Sequence, residues 1–367
     1  MANRWYQKAG EAGCDWGWDN LGDDLENGRG TPVDIDKALE CYTKSYALAG
    51  PAAGGSANAI GRIQAKRGNY QEAVKWSRLA GEAGCDWGWH NLGDAYRLGE
   101  GVPVDLKKAK KCYLKAFALQ DYAAGEAANQ LGLLYARQGA VKEARSWYQK
   151  SGEAGFDWGW HNLGQTYWLE EHTVPNLNNA LTYFVKAYNL NGEAAGPSAN
   201  QLGLIYNLQE EYKMANLWLK RSGKAGYDWG WFNLAVNLQD GKGCKANPQE
   251  ACRIYKDLYN QGGEAAADAA YFLGLCYAQE DRLSQANGWV QKGQEAGSPW
   301  AALALARNLQ EGCGITKDPK KALAICQEIY AQGGETQAQA AELIGNWYWK
   351  MGQLEEAEKW YQKGGKA

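Results

Sequence analysis

Two side chains suited to holding a ligand, tryptophan and asparagine, recur together along this sequence. The segment "DWGW" occupies residues 15–18, 86–89, 157–160 and 228–231, and in each copy an asparagine follows the first tryptophan by four residues. An indole ring offers its face to apolar groups and to cations. An asparagine amide carries both donors and an acceptor, so it can bond a peptide group in both directions. The chemistry to expect from this pair is therefore binding.

The two tryptophans of each copy point in nearly opposite directions on a helix, because each residue advances the helical wheel by about 100°. Trp18 shares its face with Leu21 and Leu25, which predicts packing, whereas Trp16 shares its face with polar residues. We expect the second face to bind a ligand in every copy, together with the asparagines of the intervening segments. The predicted ligand-binding residues are Trp16, Asp19, Asn20, Asp23, Trp87, His90, Asn91, Asp94, Trp158, His161, Asn162, Gln165, Trp229, Phe232, Asn233, Asn58, Asn129 and Asn200.

Purely structural roles remain as alternatives for both the tryptophans and the asparagines. The first tryptophan of each copy can instead wedge against the preceding helix and never meet a ligand, and the asparagines can form hydrogen bonds between neighbouring helices. A separate series that runs from Trp5 to Trp360 at the same spacing accompanies small residues such as Ala73 and Ala144, which predicts core packing. Asp86 stands where a helix N-cap is expected.

The elements that position these residues follow from a period of 71 residues, since 360 − 5 = 5 × 71 for the first and last members of the Trp5 series. Apolar residues recur three and four apart between breaks marked by glycine or proline, which predicts helices throughout. A period in this range is typical of a solenoid. The sequence therefore predicts a single all-α domain over 1–367, with a helical stub and five units of two helix pairs each: 1–13, 14–84, 85–155, 156–226, 227–297 and 298–367.

Two segments of unit 2 carry a family resemblance. "NLGDAYRLGEGVPVDLKKAKKCYLKAF" resembles a Sel-1-like repeat, and "NQLGLLYARQGAVKEARSWYQKS" resembles a tetratricopeptide repeat. The resemblance implies a right-handed α-solenoid of antiparallel helix pairs, with ten alternating repeats whose first helices line a concave groove. It also implies that the asparagines hold a peptide backbone. Units 3 and 5 depart from the pattern, with "LEEHTVPN" in place of the glycine turn and "SPWA" in place of "DWGW".

The function expected from these features is a non-enzymatic scaffold that binds an extended peptide or a segment of a partner protein. The predicted lining is acidic in units 1 and 2, at Asp19, Asp23 and Asp94, which places the basic end of the ligand there. Two alternatives remain: a binder of carbohydrate or small aromatic ligands on the same indoles, and a structural array that associates end to end. A monomer is favoured.

Composition excludes several other classes. The chain has 39 basic and 42 acidic residues, a balance that argues against nucleic acid and acidic lipid as partners. No apolar run reaches the roughly 18 residues of a membrane span, and the start has no signal-peptide character, so we expect a cytoplasmic protein or a fragment of a longer one.

Signatures of catalysis and of metal binding are absent from the sequence. There is no HExxH, GxSxG, P-loop or CxxC motif, and the chain has only 3 histidines. We predict no catalytic residue, no metal site and no cofactor. Cys14 and Cys41 share their spacing with Cys85 and Cys112, but the expected offset of about 10 Å along the helices favours free thiols over disulfides.

Overall fold

The computed structural model describes residues 2–170 and 173–365, so Glu171 and His172 of the unit 3 turn lie outside the described residues. Over these ranges the chain forms 21 helices and no strand. The all-α prediction is confirmed. Two compact units, residues 1–194 and 195–367, divide the chain and are described separately.

The first unit holds eleven helices within its described residues, joined by short turns. They are α1 Ala2–Glu11, α2 Asp15–Asn27, α3 Ile35–Ala47, α4 Ala53–Lys66, α5 Tyr70–Glu82, α6 Asp86–Leu98, α7 Leu106–Ala118, α8 Ala124–Arg137, α9 Val141–Glu153, α10 Asp157–Trp168 and α11 Val174–Asn189.

The second unit continues the pattern with ten helices among its described residues. They are α12 Ala195–Leu208, α13 Tyr212–Lys224, α14 Asp228–Asp240, α15 Pro248–Gln261, α16 Ala266–Gln279, α17 Leu283–Glu295, α18 Pro299–Glu311, α19 Pro319–Gln332, α20 Gln337–Lys350 and α21 Leu354–Lys363.

The even-numbered helices of each unit lie together in one layer. Within its compact unit, each packs against the odd-numbered helices next to it in sequence, and several also contact the even-numbered helix two places along: α2 with α4, α4 with α6, α6 with α8, α8 with α10, α12 with α14, α16 with α18, and α18 with α20. The predicted ligand-binding residues all lie on even-numbered helices. The pairing of helices therefore brings them to a common layer within each unit.

The core is built from small and aromatic residues that recur with the repeat. In units 1 to 3 a fully buried alanine is followed four residues later by an aromatic side chain that lies against a glycine of the preceding helix. Tyr113, for example, lies so close to Gly93 that a Cβ there would be less than 3.0 Å from the ring. Close packing of this kind ties each odd-numbered helix to its partner. The recurring buried alanines are Ala38, Ala109, Ala180, Ala251 and Ala322.

The Trp5 series packs as predicted except at its first member. Trp76 meets Tyr46 edge to face at a centroid distance of 5.3 Å, and Trp147 meets Phe117 in the same way. Trp5 itself is 67% exposed, so the expectation that it lies in the core is wrong. Its ring is covered only in part, by the ammonium group of Lys8 at 4.9 Å.

Turns between the helices use capping residues. Asp105 accepts a hydrogen bond from the backbone N–H of Lys108 at 2.9 Å at the start of α7. Gly99 ends α6 with φ of 83°, the left-handed conformation that glycine adopts without strain. Asp86 differs from its predicted role, because Cys85 is the N-cap and Asp86 is the first residue of α6.

Two further sequence features have plain structural outcomes. None of the helices within the described ranges is long and apolar enough to cross a bilayer. The nine cysteines are all free thiols, with Cys14 exposed and Cys41 buried.

Candidate functional site

The repeated "DWGW" segment makes three kinds of contact with the preceding helix and with the turn that follows its helix pair. In unit 2 the glycine, Gly88, lies directly against the backbone of Gly81 on α5, where a side chain would have no space. Trp89 places one face of its indole against the same Gly81. Asp86 accepts from the backbone N–H of Trp87 at 2.7 Å and, with its other oxygen, from the backbone N–H of Ala123. The second tryptophan and the glycine therefore build the stack.

The first tryptophan of each segment stays accessible to different degrees. Trp16 is 50% exposed, while Trp87, Trp158 and Trp229 are half-buried. Each of these last three rings packs edge to face on the residue three positions later. The centroid distances are 5.4 Å for Trp87 with His90, 5.1 Å for Trp158 with His161 and 5.2 Å for Trp229 with Phe232.

The residues beneath these indoles are a correction to the sequence analysis. We expected His90, His161 and Phe232 to line an open surface, but they are 4%, 8% and 6% exposed. Each also lies against the buried aromatic ring of the odd-numbered helix that follows, such as Tyr113 beside His90. Neighbouring helices cover an even-numbered helix on several sides. Fewer of its residues are therefore exposed to solvent than a helical-wheel projection of its polar face predicts.

The two buried histidines have different surroundings. His90 Nδ1 lies 3.5 Å from Asp94 Oδ2, and its Nε2 lies 3.7 Å from Glu126 Oε2. Burial raises the pKa of the Glu126 carboxyl. His161 has Gln165 in the place of Asp94, and burial lowers its pKa to about 4. A neutral imidazole is therefore the stable form of His161 in the folded chain.

The asparagines pair with one another across neighbouring even-numbered helices. Asn91 Nδ2 donates to Asn58 Oδ1 at 2.9 Å. The same bond joins Asn162 to Asn129 at 2.8 Å and Asn233 to Asn200 at 2.9 Å. Asn129 and Asn200 are buried, which contradicts our expectation that they offer their amides to a groove. Asn20, Asn58, Asn91, Asn162 and Asn233 are half-buried.

The acidic residues of units 1 and 2 already have polar partners. Ser56 Oγ donates to Asp19 Oδ1 at 2.5 Å, and burial raises the pKa of the Asp19 carboxyl more than this bond lowers it. Asp23 forms an ion pair with Arg29.

Asp94 has one charged and one neutral partner. It forms an ion pair with Arg97 at 2.6 Å and accepts from the Tyr113 hydroxyl at 2.8 Å. Arg97 therefore offsets the negative charge that Asp94 would otherwise present to a ligand, whereas Asp19 is bonded by a neutral hydroxyl.

A cleft of about 530 Å³ lies where α4, α5 and α6 meet, within the compact unit of residues 1–194. Asn58 and Arg62 on α4 form one wall, and Trp87, Asn91 and Asp94 on α6 form the other. Four of these five residues belong to the predicted set. The volume falls within the range of about 300–1,000 Å³ that is usual for ligand pockets.

Two small side chains on α5 leave this space open. Val74 and Ser77 form part of the cleft lining. One repeat later the same positions hold Arg145 and Tyr148. Tyr148 is buried with its ring against Gly132, and Arg145 donates to Thr166 Oγ1 at 2.9 Å and forms an ion pair with Glu170 at 2.8 Å. In the repeat units that follow, these positions hold Asn216 with Leu219 and Asn287 with Val290.

Arg62 is one of the cleft residues that the sequence analysis missed. Its guanidinium is fixed by two bonds to the carboxylate of Glu26, at 2.7 and 2.8 Å, and the Glu26 side chain is only 7% exposed. A signal was present in the sequence, because the equivalent position holds leucine in the next three units, at Leu133, Leu204 and Leu275. Comparing units position by position would also have singled out Ser77.

The structure offers no sign of a metal centre in the part of the chain that it describes. Within residues 2–170 and 173–365 there is no group of three or more His, Cys, Asp or Glu side chains placed to hold a metal ion.

Comparison with known families identifies the repeat. The Sel1 repeat family matches nine segments, and the tetratricopeptide repeat family matches residues 338–364. The Sel1 matches fall in both the longer and the shorter halves of the units. They cover residues 1–14, 20–49, 57–85, 90–121, 125–156, 161–192, 232–262, 267–287 and 301–334.

Individual proteins show the same likeness. Cytochrome c oxidase assembly factor 7A of Xenopus laevis is 32% identical over 120 residues, which are 29% of this chain and 52% of that protein, so the match spans about half the length of the relative. Among solved structures, c5321, a protective antigen of uropathogenic Escherichia coli strains, is 27% identical with a TM-score of 0.64, covering 98% of this chain and 78% of that chain. A Sel1 repeat protein from Oxalobacter formigenes is 20% identical with a TM-score of 0.61, covering 81% and 89%.

Proposed function

The chain belongs to the Sel1 repeat family, and from this premise we propose that it is a non-enzymatic scaffold that binds an extended segment of a partner protein at the cleft between α4, α5 and α6. Repeat proteins of this kind generally act as scaffolds for protein interaction. The observation that carries the proposal is that a half-buried indole and a bonded asparagine pair border the same open cleft: Trp87, Asn58 and Asn91.

The asparagine pair supports a peptide as the ligand. The bond from Asn91 to Asn58 uses one donor of Asn91 and one acceptor position of Asn58. Asn91 keeps its amide oxygen and Asn58 keeps its amide nitrogen. One acceptor and one donor side by side at the edge of the cleft match the N–H and C=O groups of an extended backbone, and the indole of Trp87 supplies an apolar surface next to them.

We place the basic end of the ligand toward units 1 and 2, as the sequence predicts. Two carboxylates support this orientation: Asp19, bonded by the hydroxyl of Ser56, and Glu100, exposed at the edge of the cleft. Asp23 and Asp94 contribute less, because arginines neutralise them.

The direct test compares two tyrosine substitutions on α5. Ser77→Tyr introduces the residue of the next repeat and fills the cleft, whereas Lys75→Tyr adds the same ring at an exposed position on the same helix. Twelve-residue peptides of varied charge are screened on an array against the wild-type chain, and the affinity of those that bind is measured by fluorescence anisotropy. We expect Ser77→Tyr to weaken binding at least about tenfold, which is the loss of roughly 1.4 kcal/mol, and Lys75→Tyr to leave it unchanged.

The outcomes that contradict the proposal are also defined. Peptides that bind Ser77→Tyr as tightly as wild type lie elsewhere on the molecule. Binding of oligosaccharides to the wild-type chain, with no peptide retained, would favour the carbohydrate alternative. Equal affinity for a peptide and for its charge-reversed counterpart would refute the orientation while leaving the cleft as the site.

A further inference from the structure

The second tryptophan of each "DWGW" segment is held in the same way in four units. One face of the ring lies on a glycine of the preceding odd-numbered helix, where a Cβ would be less than 3.0 Å from the indole. The four pairs are Trp18 with Gly10, Trp89 with Gly81, Trp160 with Gly152, and Trp231 with Gly223. The opposite face of each ring is therefore the one that other groups can reach.

In units 1, 2 and 3 a lysine of the chain covers that opposite face. Lys44 places its ammonium group 4.6 Å from the Trp18 ring centroid, Lys115 lies 3.7 Å from Trp89, and Lys186 lies 4.3 Å from Trp160. These distances are typical of cation–π interactions. In these three units the group that lies over the free face of the second tryptophan is therefore a lysine ammonium group.

Unit 4 keeps the indole and lacks the lysine. The residue 71 positions after Lys186 is Asp257, an acid. No lysine or arginine of residues 2–170 and 173–365 lies over the Trp231 ring, although such contacts exist at neighbouring aromatic residues. A cavity of about 350 Å³ opens beside the indole, lined by α13 and α15 as well as by Trp231.

The charges around this cavity differ from those in unit 2. The matching cavity beside Trp89 measures about 250 Å³ and is lined by Arg78, Lys108, Lys111 and Lys115. In unit 4 those four positions hold Lys220, Glu250, Arg253 and Asp257. Glu250 and Arg253 pair with each other at 2.7 Å. Asp257 therefore remains as a carboxylate beside an indole that lacks its cation.

We propose that the cavity beside Trp231 binds a lysine side chain of a partner protein, whose ammonium group lies over the indole and pairs with Asp257. The partner supplies from outside the cation that Lys115 supplies from within the chain in unit 2. The site lies on α13, α14 and α15 and shares no residue with the cleft between α4, α5 and α6, so either proposal can fail without the other.

Lys220 also lines the cavity and, unlike Arg253, forms no ion pair with any residue of 2–170 and 173–365, so it competes with the ligand. It lies on α13 and is exposed. Three other units hold glutamine at this position, at Gln149, Gln291 and Gln362, and the helical stub holds Gln7 there. Replacing Lys220 with glutamine therefore removes a like charge with a residue that the repeat already accepts.

The probe for the test is N-acetyl-lysine N-methylamide, and the matched control is the norleucine analogue, which has the same side-chain length without the amine. Binding is followed by the indole N–H resonances in ¹H–¹⁵N NMR spectra of the full chain. Trp231→Phe and Trp89→Phe identify the two relevant signals. We expect the lysine compound to shift the Trp231 signal in a saturable way in the millimolar range and to leave the Trp89 signal unchanged, and the norleucine compound to shift neither.

Three variants decide the mechanism. Asp257→Lys restores the residue of units 1 to 3, and we expect it to abolish binding by covering the ring from within. Asp257→Asn should weaken binding severalfold, and Lys220→Gln should strengthen it severalfold. The unchanged signals of the other indoles report that each variant is folded.

The proposal is overturned by either of two results. One is a Trp231 signal that stays unmoved by the lysine compound in both the wild-type chain and Lys220→Gln. The other is an Asp257→Lys variant that responds to the compound as strongly as the wild-type chain.

Discussion

The junction of α4, α5 and α6 and the junction of α8, α9 and α10 are built from the same repeat, 71 residues apart, yet their α5 and α9 helices differ where they face the even-numbered layer. Val74 and Ser77 border an open cleft in the first junction. Arg145 and Tyr148 occupy the same positions in the second, with Tyr148 buried and Arg145 bonded to α10. The same repeat therefore holds an open cleft in one junction and packed side chains in the other through two positions on the supporting helix, while the tryptophan and the asparagine pair recur in both: Trp87, Asn58 and Asn91 against Trp158, Asn129 and Asn162.

The largest expected effect comes from opening the second junction. Tyr148→Ser removes a buried ring that packs on Gly132, and cavity formation of this kind costs about 3–5 kcal/mol of unfolding free energy. Urea unfolding followed by circular dichroism measures the loss. Tyr122→Ser is the control, because Tyr122 is 86% exposed, and it should change stability by less than about 0.5 kcal/mol. A small loss for Tyr148→Ser would mean that the ring does not hold this junction closed.

The histidine beneath the second junction gives a pH dependence. The pKa of His161 is lowered to about 4 in the folded chain, against an ordinary value of 6.5. As the pH falls, the imidazole therefore takes up its proton at a higher pH in the unfolded chain than in the folded chain. The contribution of the neutral imidazole to the free energy of unfolding is complete above pH 6.5 and is lost between pH 6.5 and 4.

The size of this effect follows from the shift, which corresponds to roughly 2 kcal/mol at pH 5. His161→Phe, which uses the residue that unit 4 carries as Phe232, should remove this component. Urea midpoints measured from pH 7 to pH 4 test it, and equal pH slopes for wild type and variant would contradict the assignment.

Arg145 supplies a polar link between α9 and α10 in the second junction. Arg145→Val copies Val74 and removes the bonds to the hydroxyl and carbonyl of Thr166, at 2.9 and 3.1 Å, together with the ion pair to Glu170. Bonds that involve a charged donor contribute about 1.5–3 kcal/mol, so we expect a loss near 2 kcal/mol. Lys142→Val, one turn earlier on the exposed side of α9, serves as the control. A loss no greater than that of the control would show that the link carries little of the stability.

The smallest effect compares the same asparagine pair in both junctions. Asn162→Ala leaves the buried amide of Asn129 without its donor and should cost about 1–2 kcal/mol. Asn91→Ala should cost less than about 1 kcal/mol, because Asn58 lies at the open cleft where water can replace the bond. Equal losses in the two urea titrations would mean that the cleft is not wetter than the closed junction.

The period of the sequence was sufficient to predict the helices and the layer that carries the candidate site. The spacing of Trp16 from Trp18 placed one indole in the stack and the other toward solvent, and Trp18 and Trp16 differ in that sense in the structure. A 71-residue repeat of Gly, Trp and Ala leaves few ways to pack helix pairs, because the glycines admit only a neighbouring backbone or ring.

Burial of polar residues was harder to predict than the helices. His90 and Asn129 look solvated on a helical wheel, yet each is buried with polar atoms of other helices close by. The partners lie 33 or 36 residues away, since 162 − 129 = 33 and 126 − 90 = 36, so the pattern of one helix does not show them. The cleft depends on Val74 and Ser77, which face the site from a third helix.

The aspartate that opens each "DWGW" segment has a consequence for how the chain opens transiently. Asp15, Asp86 and Asp157 are buried and accept from the backbone N–H groups of Ala52, Ala123 and Ala194, each 37 residues further along. Amide hydrogens in such turns ordinarily exchange with solvent quickly, but releasing these would strand a carboxylate in the interior. The three amide hydrogens should therefore exchange as slowly as those of the helices. Exchange at these sites then requires the opening of a whole helix pair and not of a single turn.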